Sequence, residues 1–455
     1  MLVIISDIHL GDGTTAASIS PVAFDLFASR LSEAAYFASI RKDGSFRPIE
    51  NIDLVLMGDI LDPLHSTRWL DTQSGNVDKV LPWTDSTHPG YAAKLREVTQ
   101  AILEENKASV EVLRQAASGD VVKVRPTNSR GGPYLDIRQR PPVKVDTYYM
   151  VGNHDWYYHL PGKNFDQIRR EIVTALGLSN DDSPFPHGLE ESPALHEIFS
   201  QHKVYGRHGD FYDNFNYSRE KGRDHSTLGD ALTMEVFNRY PLAVQNRFGD
   251  EIPTALVDSL RRLVNVRPVL AAPLWISGQL KRHAGSAALE SELKRVWDDL
   301  CDEFLQLDFV RQADKAFKLD IVDALEMIVK ISRRASFTTI NDLVIWIRGK
   351  IWENELSFAG HALKEPAFLN GAARYIVYGH THHHEIISLD AEGRPPYPDS
   401  QVYLNSGTWH SYYDLAIKNP LEQKFLPYQA LTYLTFYKDD EREGRNFDAW
   451  SGTYM

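Results

Sequence analysis

The sequence predicts an α/β fold of layered helices and strands, carrying a large helical insertion, on three observations. Short runs rich in Val, Ile, Leu and Tyr recur in the first and last parts of the chain, and long polar or helical stretches separate them. Several of these runs lack strict alternation, which is typical of strands buried on both faces. A long block in the second half has apolar residues at helical spacing instead.

Eight runs are predicted to be strands. In chain order they are LVIIS (2–6), DLVLM (53–57), DTYYMV (146–151), HKVYG (202–206), RYIVYG (374–379), EIISL (385–389), QVYLN (401–405) and QALTYLTFY (429–437). Between them, residues 92–117 are predicted to form one helix. Another helix is predicted at 164–177, with Asn164 as its N-cap and Gly177 as its stop. The Gly-, Pro- and Arg-rich residues 118–145 are predicted to form a loop or hairpin.

The helical block is predicted to be an insertion into the core. The segment LESELKRVWDDLCDEFLQL (289–307) places its apolar residues on one helical stripe, and IVDALEMIVKISRR (321–334) repeats the pattern. Trp297 and Cys301 are expected in the core of this block. The predicted organisation is a core of residues 1–217 and 371–455, elaborated at 63–144, with a helical insertion or cap at 218–370.

Composition narrows the class of protein. The single cysteine, Cys301, excludes an intrachain disulfide framework and a thiolate metal site, so we expect a reducing, cytoplasmic location. The net charge of −13 disfavours nucleic acid and anionic lipid as partners, although it does not exclude a local basic patch. MLVIISDIHL (1–10) leads directly into the first strand without the pattern of a signal peptide, and we expect no membrane span.

Polar residues with metal-binding side chains follow five of the predicted strands. These segments are SDIHL (6–10), MGDILD (57–62), VGNHD (151–155), YGRHGD (205–210) and YGHTHHHE (378–385). Asp7 and His9 are two residues apart, as are His380 and His382, and in extended backbone this spacing points both side chains to one side. Because ligands bind outside the carboxyl ends of strands in α/β sheets, we expect the five segments to converge on one crevice.

The ordered set D-x-H, G-D-x-x-D, G-N-H-D, H-G-D and G-H-x-H resembles the pattern of the calcineurin-like metallophosphoesterase superfamily. The resemblance covers roughly residues 1–62, 145–215 and 372–440. It implies a β-sandwich flanked by helices that holds two divalent metal ions. The implied ligands are Asp7, His9 and His382 for one metal, Asn153, His208 and His380 for the other, and Asp59 as the bridge. Carboxylate, imidazole and amide ligands favour Mn²⁺, with Fe or Zn²⁺ as alternatives.

The resemblance also implies a catalytic role for His154, which would protonate the leaving group or stabilise developing charge while Asp62 orients it. The alternative for Asp62 is a helix N-cap or turn former. Asp155 is expected to be a structural hydrogen-bonding residue. Arg207 and His410 are candidates for binding substrate, with a surface salt bridge and simple packing as their respective alternatives.

The function implied is metal-dependent hydrolysis of phosphate mono- or diesters, with a metal-bridging hydroxide as nucleophile. A nuclease is an alternative, because residues 123–140 carry five basic side chains, although the overall charge favours a solvated loop. A pyrophosphohydrolase of a nucleotide-linked substrate is another, because YGRHGDFYD (205–213) resembles that branch, which carries arginine where this chain has His154. An inactive scaffold is disfavoured because the implied ligand set is complete. The insertion at 218–370 is expected to cap the site and restrict the substrate. The sequence does not predict an oligomeric state.

Overall fold

Two β-sheets form the centre of the fold. The computed structural model describes residues 1–70, 79–136, 140–267, 271–316, 357–389, 401–415 and 425–453. Its strands are β1 (Leu2–Ile5), β2 (Asn51–Met57), β3 (Lys144–Met150), β4 (Val204–Gly206), β5 (Val266–Arg267), β6 (Tyr375–Tyr378), β7 (His384–Leu389), β8 (Gln401–Ser406), β9 (Ser411–Leu415), β10 (Phe425–Phe436) and β11 (Phe447–Thr453).

The first sheet has the order β3-β2-β1-β10-β9-β5, with β11 also paired to β10, and the second has the order β4-β6-β8-β7. Strands β1, β2 and β3 are mutually parallel, and so are β4, β6 and β8. Strand β10 runs antiparallel to β1, and β7 runs antiparallel to β8. Both sheets are therefore mixed, and in each one the carboxyl ends of a parallel set point in one direction.

The two sheets pack face to face. One cluster of buried apolar side chains combines residues from both, namely Leu2, Ile4, Val55, Met57 and Met150 of the first sheet with Val204, Tyr375, Val377, Val402 and Leu404 of the second. The alternate side chains of β1 and β2, among them Val3, Ile5 and Leu54, belong to a different cluster that they share with helices. Since successive residues of a strand point to opposite faces, the first sheet is buried on both sides.

The described helices lie before β4 and in the insertion. They are α1 (Pro21–Ala38), α2 (Tyr91–Glu105), α3 (Lys107–Ala117), α4 (Lys163–Leu176), α5 (Pro193–Gln201), α6 (Leu228–Leu232), α7 (Arg239–Phe248), α8 (Thr254–Arg261), α9 (Ala272–His283), α10 (Ala287–Gln306), α11 (Asp308–Ala316), α12 (Ser357–Ala362) and α13 (Pro366–Leu369). A π-helical segment, Thr233–Asn238, joins α6 to α7. Among the described helices, each is too short or too polar to cross a bilayer.

The predicted mixed α/β class and the eight predicted strands are confirmed. Each predicted run overlaps one observed strand, and β5, β9 and β11 were not predicted. The single helix predicted at 92–117 is wrong, because the chain breaks between α2 and α3 at Asn106. The buried side chain of Asn106 donates to Gly11 O at 2.7 Å, a contact outside the helix that fixes the break. The described part of 118–145 before β3 is a loop with isolated bridges, as predicted.

The caps of α4 were predicted in part. Gly177 ends the helix at φ 69°, in the left-handed conformation that glycine adopts without steric cost. The prediction of Asn164 as N-cap is wrong, because the helix begins at Lys163 with Gly162 before it. Gly162 has φ 118° and ψ 153°, a conformation that asparagine rarely adopts, so the turn into the helix selects glycine at the cap.

The described part of the 218–370 block is mainly helical, as predicted. In α10 the middle of the predicted stripe is buried, including Trp297 at 6% exposure, and so is Cys301 at 4%. Leu289 and Leu307, at the ends of the stripe, are partly buried. The segment 321–334 lies outside the described residues. The block is more than a helical layer, because its strand β5 pairs in parallel with β9 and extends the first sheet. This pairing brings the insertion to the edge where the polar segments after the strands lie.

Candidate metal centre

The seven predicted metal ligands form one buried cluster. It consists of two groups of three residues, with Asp59 between them. In the first group, His9 Nε2 lies 3.0 Å from His382 Nε2. The carboxylate oxygen Oδ1 of Asp7 is 3.4 Å from His382 Nε2 and 3.9 Å from His9 Nε2. Two imidazole nitrogens and a carboxylate oxygen therefore converge on one point, as the sequence predicted.

The second group contains Asn153, His208 and His380. The amide oxygen of Asn153 lies 3.2 Å from His208 Nε2 and 2.9 Å from His380 Nδ1. His208 follows β4 and His380 follows β6, whereas Asn153 follows β3 of the other sheet. The second group thus forms across the two sheets, at the carboxyl ends of their parallel strands.

Asp59 lies between the two groups. Its Oδ2 atom is 3.2 Å from His208 Nε2 and 3.8 Å from His9 Nε2. Its other oxygen, Oδ1, accepts a hydrogen bond of 2.8 Å from the backbone N–H of His154. One oxygen is thereby fixed by the backbone while the other faces nitrogens of both groups, which is the position that a bridging carboxylate requires.

Burial sets the electrostatics of the cluster. Asp7 and His208 are fully buried, and Asp59 is 1% exposed. Burial raises the pKa of Asp7. Burial also opposes ionisation of Asp59, but the adjacent His208 and His154 hold its pKa below the ordinary value. The carboxylates in turn outweigh the effect of burial on His208 and raise its pKa to about 10. Without a cation the buried carboxylates keep protons on their neighbours, and metal binding would replace those protons.

The backbone at the ligands is in a rarely populated conformation. Of the nine non-glycine residues with positive φ in the described part of the chain, five are predicted ligands, namely Asp7, His9, Asp59, His380 and His382, with φ from 51° to 68°. The expectation that the two D-x-H and H-x-H pairs lie in extended backbone is therefore wrong. Each pair follows the end of its strand, and both of its residues are left-handed. Such conformations cost on the order of 1–3 kcal/mol per residue and concentrate at functional sites.

Three glycines beside the ligands leave no space for a side chain. A Cβ at Gly152 would lie 2.4 Å from Asp59 Oδ1, and one at Gly58 would lie 2.5 Å from His208 Nδ1. At Gly379 it would lie 2.6 Å from Asp7 Oδ2. Glycine is needed at these positions because the backbone itself forms the wall against which the ligand side chains are held.

Hydrogen bonds fix the orientation of the ligand imidazoles. His208 Nδ1 donates to Met57 O at 3.0 Å, and His9 Nδ1 donates to Asp62 at 2.8 Å, which leaves Nε2 of both rings as a lone-pair donor to a metal. His380 has the reverse arrangement, because its Nε2 donates to Asp213 at 3.0 Å and its Nδ1 faces Asn153. The donor set, its burial and these fixed tautomers fit two divalent cations.

Asp62 contacts three imidazoles. Besides His9, its carboxylate lies 2.7 Å from His65 Nδ1 and 3.1 Å from His154 Nδ1. Asp62 therefore contacts His154, as its predicted orienting role requires, and the role itself stays a prediction. Asp62 is also a turn former because it accepts from the backbone N–H of His65 at 3.0 Å. Burial opposes its ionisation, but His65 and His154 keep the pKa of Asp62 well below its ordinary value. One buried carboxylate therefore connects a predicted ligand to the predicted catalytic histidine.

His154 lies at the opening of this arrangement, with 15% of its side chain exposed. Burial disfavours its charged form, but Asp62 and Asp59 outweigh burial and raise the pKa of His154 to about 9. The neighbouring Asp155 is a structural hydrogen-bonding residue, as predicted. Its carboxylate accepts from the Gly152 N–H at 2.6 Å and the Ile60 N–H at 2.9 Å.

The two predicted substrate-binding residues are placed differently. His410 is 8% exposed, with its ring 5.9 Å from that of His9, and its Nδ1 donates to Ser411 O at 2.8 Å. It therefore lies beside the first group. Arg207 has Nε 3.4 Å from Glu365 and its guanidinium over the rings of neighbouring aromatic residues. Its charge is already paired, and substrate binding by Arg207 stays a prediction.

Three residues at the cluster were missed by the sequence analysis. Asp213 ends the segment YGRHGDFYD, and His65 follows Asp62 at a spacing of three, so both carried a local signal beside a predicted ligand. Arg267 had none, because it lies in the insertion, far along the chain from the five polar segments. Its Nη2 atom is 3.4 Å from His382 Nδ1, and Nη1 donates to Val264 O at 3.0 Å.

Comparison with known proteins adds no identification. No model of a known protein family matches the chain, and no curated protein matches it. The interpretation of the site therefore rests on its geometry and chemistry.

Proposed function

We propose that this chain is a calcineurin-like metallophosphoesterase that hydrolyses phosphate mono- or diesters at a dinuclear metal centre. The observation that carries the proposal is the position of Asp59, whose Oδ2 lies 3.2 Å from His208 Nε2 and 3.8 Å from His9 Nε2. A carboxylate held between two groups of nitrogen and oxygen donors supports a pair of cations with one shared ligand. Two divalent cations, Mn²⁺ in first place, would supply Lewis acidity and an activated water for attack on phosphorus.

The proposed ligands of this centre are carboxylate, imidazole and amide groups, and none of them is a thiolate. Asp7, His9 and His382 would hold one cation, and Asn153, His208 and His380 the other. Their donor atoms are buried, so little solvent competes for the cations and electrostatic attraction is strong. Asp62 and Asp213 keep His9 and His380 in the tautomers that binding needs.

His154 is proposed to act on the leaving group. Its Nδ1 faces Asp62 at 3.1 Å, so Nε2 is the nitrogen that can carry a proton to an alkoxide leaving oxygen. The pKa of His154, raised to about 9 by Asp62 and Asp59 against the effect of burial, supports a protonated ring at neutral pH. Its partial exposure supports contact with substrate. This division of labour makes Asn153 a ligand and its neighbour the acid.

The insertion is proposed to complete the substrate site. When Nε2 of His382 binds a cation, its Nδ1 carries the hydrogen and cannot accept one from Arg267. The Nη2 of Arg267, 3.4 Å away, is then available to a phosphate oxygen. Asp230 of α6 accepts from Trp156 Nε1 at 3.2 Å, a second contact between the insertion and the segment that carries His154. These contacts support a cap that limits which esters reach the centre.

The test is hydrolysis of p-nitrophenyl phosphate and bis-p-nitrophenyl phosphate with added Mn²⁺, comparing the wild type with Asp59→Asn and His154→Ala. Asp59→Asn is expected to lose turnover of both esters while keeping its fold by circular dichroism. His154→Ala is expected to keep more activity on these two nitrophenyl esters than on phenyl phosphate, which is assayed beside them, because a good leaving group needs no acid and phenolate is a poorer one. Wild-type turnover in Asp59→Asn would contradict the dinuclear mechanism.

A further inference from the structure

A second cluster of metal-binding side chains lies outside the proposed dinuclear centre. It consists of His159, His187 and Asp224, whose ligand atoms all lie within 4.8 Å of one another. His159 ends the 3₁₀ turn Trp156–His159, His187 lies in the loop before α5, and Asp224 lies near the start of the 218–370 insertion. Three segments distant in sequence thus bring two imidazoles and a carboxylate together.

Several polar atoms in this cluster are buried without a hydrogen-bond partner. His187 is 5% exposed, and both of its ring nitrogens lack a partner, as does Oδ1 of Asp224. His187 Nε2 lies 3.8 Å from Asp224 Oδ1, and His159 Nε2 lies 3.9 Å from the same oxygen. These distances are too long for hydrogen bonds. Since buried polar groups are normally satisfied, His187 Nε2 and Asp224 Oδ1 point to an occupant that lies between them and His159 Nε2.

The protonation states suit a cation. His159 Nδ1 donates to Phe185 O at 2.8 Å, so Nε2 carries the lone pair and faces Asp224. Burial, with Arg223 as the next cause, holds the pKa of His187 well below its ordinary value, so its ring is neutral at physiological pH. Neutral imidazole is the form that binds metals.

The positive charge nearest to the cluster, that of Arg223, is paired with a carboxylate. Arg223 precedes Asp224 in the chain, and its Nη2 lies 2.9 Å and 3.0 Å from the two oxygens of Asp210. The carboxylate of Glu191 lies 3.8 Å from His159 Nδ1 and adds negative charge on the other side. Asp210 and Glu191 therefore offset part of the positive charge of Arg223, whose field still lowers the pKa of His187.

We propose that His159, His187 and Asp224 form a third cation site, which takes Zn²⁺ through two imidazole nitrogens and one carboxylate oxygen. Zinc bonds of about 2.0–2.2 Å would bring the ligand atoms to roughly 3.4 Å from one another, so each of the two nitrogens would move about half an ångström closer to Asp224 Oδ1. The fourth position of a tetrahedron is left for water. The site fastens the first residues of the insertion to the core, and it does not depend on the proposed phosphoesterase activity.

The experiment measures zinc stoichiometry by mass spectrometry after the full-length chain is equilibrated with Zn²⁺ and unbound metal is removed. The variants are His187→Ala, Asp224→Asn and, as a matched control, His196→Ala, which removes an exposed histidine of α5. Asp59→Asn serves as a second reference, because it disables the dinuclear centre alone. Asp224→Asn keeps the size and polarity of a partly exposed side chain, so it decides the outcome where His187→Ala fails to fold.

We expect His187→Ala and Asp224→Asn each to bind one equivalent of Zn²⁺ less than the wild type, whereas His196→Ala binds the same amount. Asp59→Asn should still bind Zn²⁺ at the third site, which is the site that Asp224→Asn loses. Equal stoichiometry in the wild type and Asp224→Asn would overturn the third site, whatever the dinuclear centre binds. A wild type that binds a single equivalent, lost in Asp224→Asn and kept in Asp59→Asn, would support the third site and overturn the dinuclear centre.

Discussion

Replacing Asp62 with asparagine tests whether one buried carboxylate organises the proposed centre. Asp62 carries no cation in the proposal, yet its oxygens lie 2.8 Å, 2.7 Å and 3.1 Å from the Nδ1 atoms of His9, His65 and His154. Asparagine has the same shape but only one acceptor oxygen, and its NH₂ group donates. If its oxygen takes the place of Oδ2, which lies within 3.1 Å of all three Nδ1 atoms, its NH₂ group takes the place of Oδ1 and faces the backbone N–H of His65 and Nδ1 of His154. The negative charge that attracts the three rings is also lost, so the rings are held less firmly.

The expected loss follows from what each ring does. The group that hydrogen-bonds the other ring nitrogen of a ligating histidine typically contributes 10–100-fold to metal affinity. The Mn²⁺ Kd should therefore rise by about that factor, which corresponds to a loss of roughly 1.4–2.8 kcal/mol of binding free energy. Turnover should fall further than metal loss explains, because His154 also loses its orientation. At saturating Mn²⁺ the remaining defect in kcat reports His154 alone.

The assay is Mn²⁺ titration against a competing chelator, followed by bis-p-nitrophenyl phosphate hydrolysis at saturating metal. Asp12→Asn is the matched control, because Asp12 is also a buried carboxylate, 7% exposed, whose hydrogen-bond partners are Thr14, Ser66 and Arg68. It should leave the Mn²⁺ Kd unchanged. An Asp62→Asn variant with wild-type Kd and wild-type kcat would refute the positioning role of Asp62.

Three further predictions concern the glycine wall, the insertion and pH. Gly152→Ala should abolish hydrolysis, because its Cβ would lie 2.4 Å from Asp59 Oδ1. If this clash displaces the Asp59 carboxylate, the number of bound metal ions will fall together with the activity. Arg267→Gln should raise KM for phosphate esters about ten-fold or more with little change in Mn²⁺ Kd, and an unchanged KM would remove Arg267 from the substrate site. His202 is buried, and burial lowers its pKa to about 3, so below the ordinary pKa of about 6.5 the unfolded chain binds a proton that the native chain excludes. The free energy of unfolding should therefore fall by about 2 kcal/mol between pH 6.5 and pH 5 through this residue, and urea denaturation of His202→Gln should show a pH dependence weaker by that amount.

The strands and the ligands were predictable for the same reason. A buried strand needs an apolar run, and the five polar segments stand directly after such runs, so pattern and position agreed. Asn153 illustrates this. It follows the apolar run that ends at Val151, so the sequence places it at a strand end even though the sequence does not show which side chains it faces. The convergence of its amide oxygen with His208 and His380 follows from the packing of the two sheets.

Other features depended on contacts that sequence spacing does not encode. The break between α2 and α3 comes from the bond between Asn106 and Gly11 O, across a separation of 95 residues. The place of Arg267 depends on the pairing of β5 with β9, and a two-residue strand leaves no periodicity to detect. Arg207 stood next to a predicted ligand, yet its side chain extends to Glu365. Adjacency in sequence therefore predicted which side chains meet in the cluster better than it predicted which side chains are free to contact a substrate.

A left-handed backbone occurs at Asp7, His9, Asp59, His380 and His382. These residues were predictable from the sequence, but their backbone conformation was not. A strand that continued in extended form would point both ligands of a pair to one face of the sheet, towards the packed layers and not beyond the strand end. Leaving the strand through left-handed residues turns the carboxylates and imidazoles outward over the strand ends. The backbone strain persists because the surrounding contacts allow no relaxation: Asp59 is held by the His154 N–H, and Gly152 and Gly379 pack directly against the carboxylates. Because strained backbone conformations concentrate at functional sites, the left-handed residues support the proposal that this cluster binds cations.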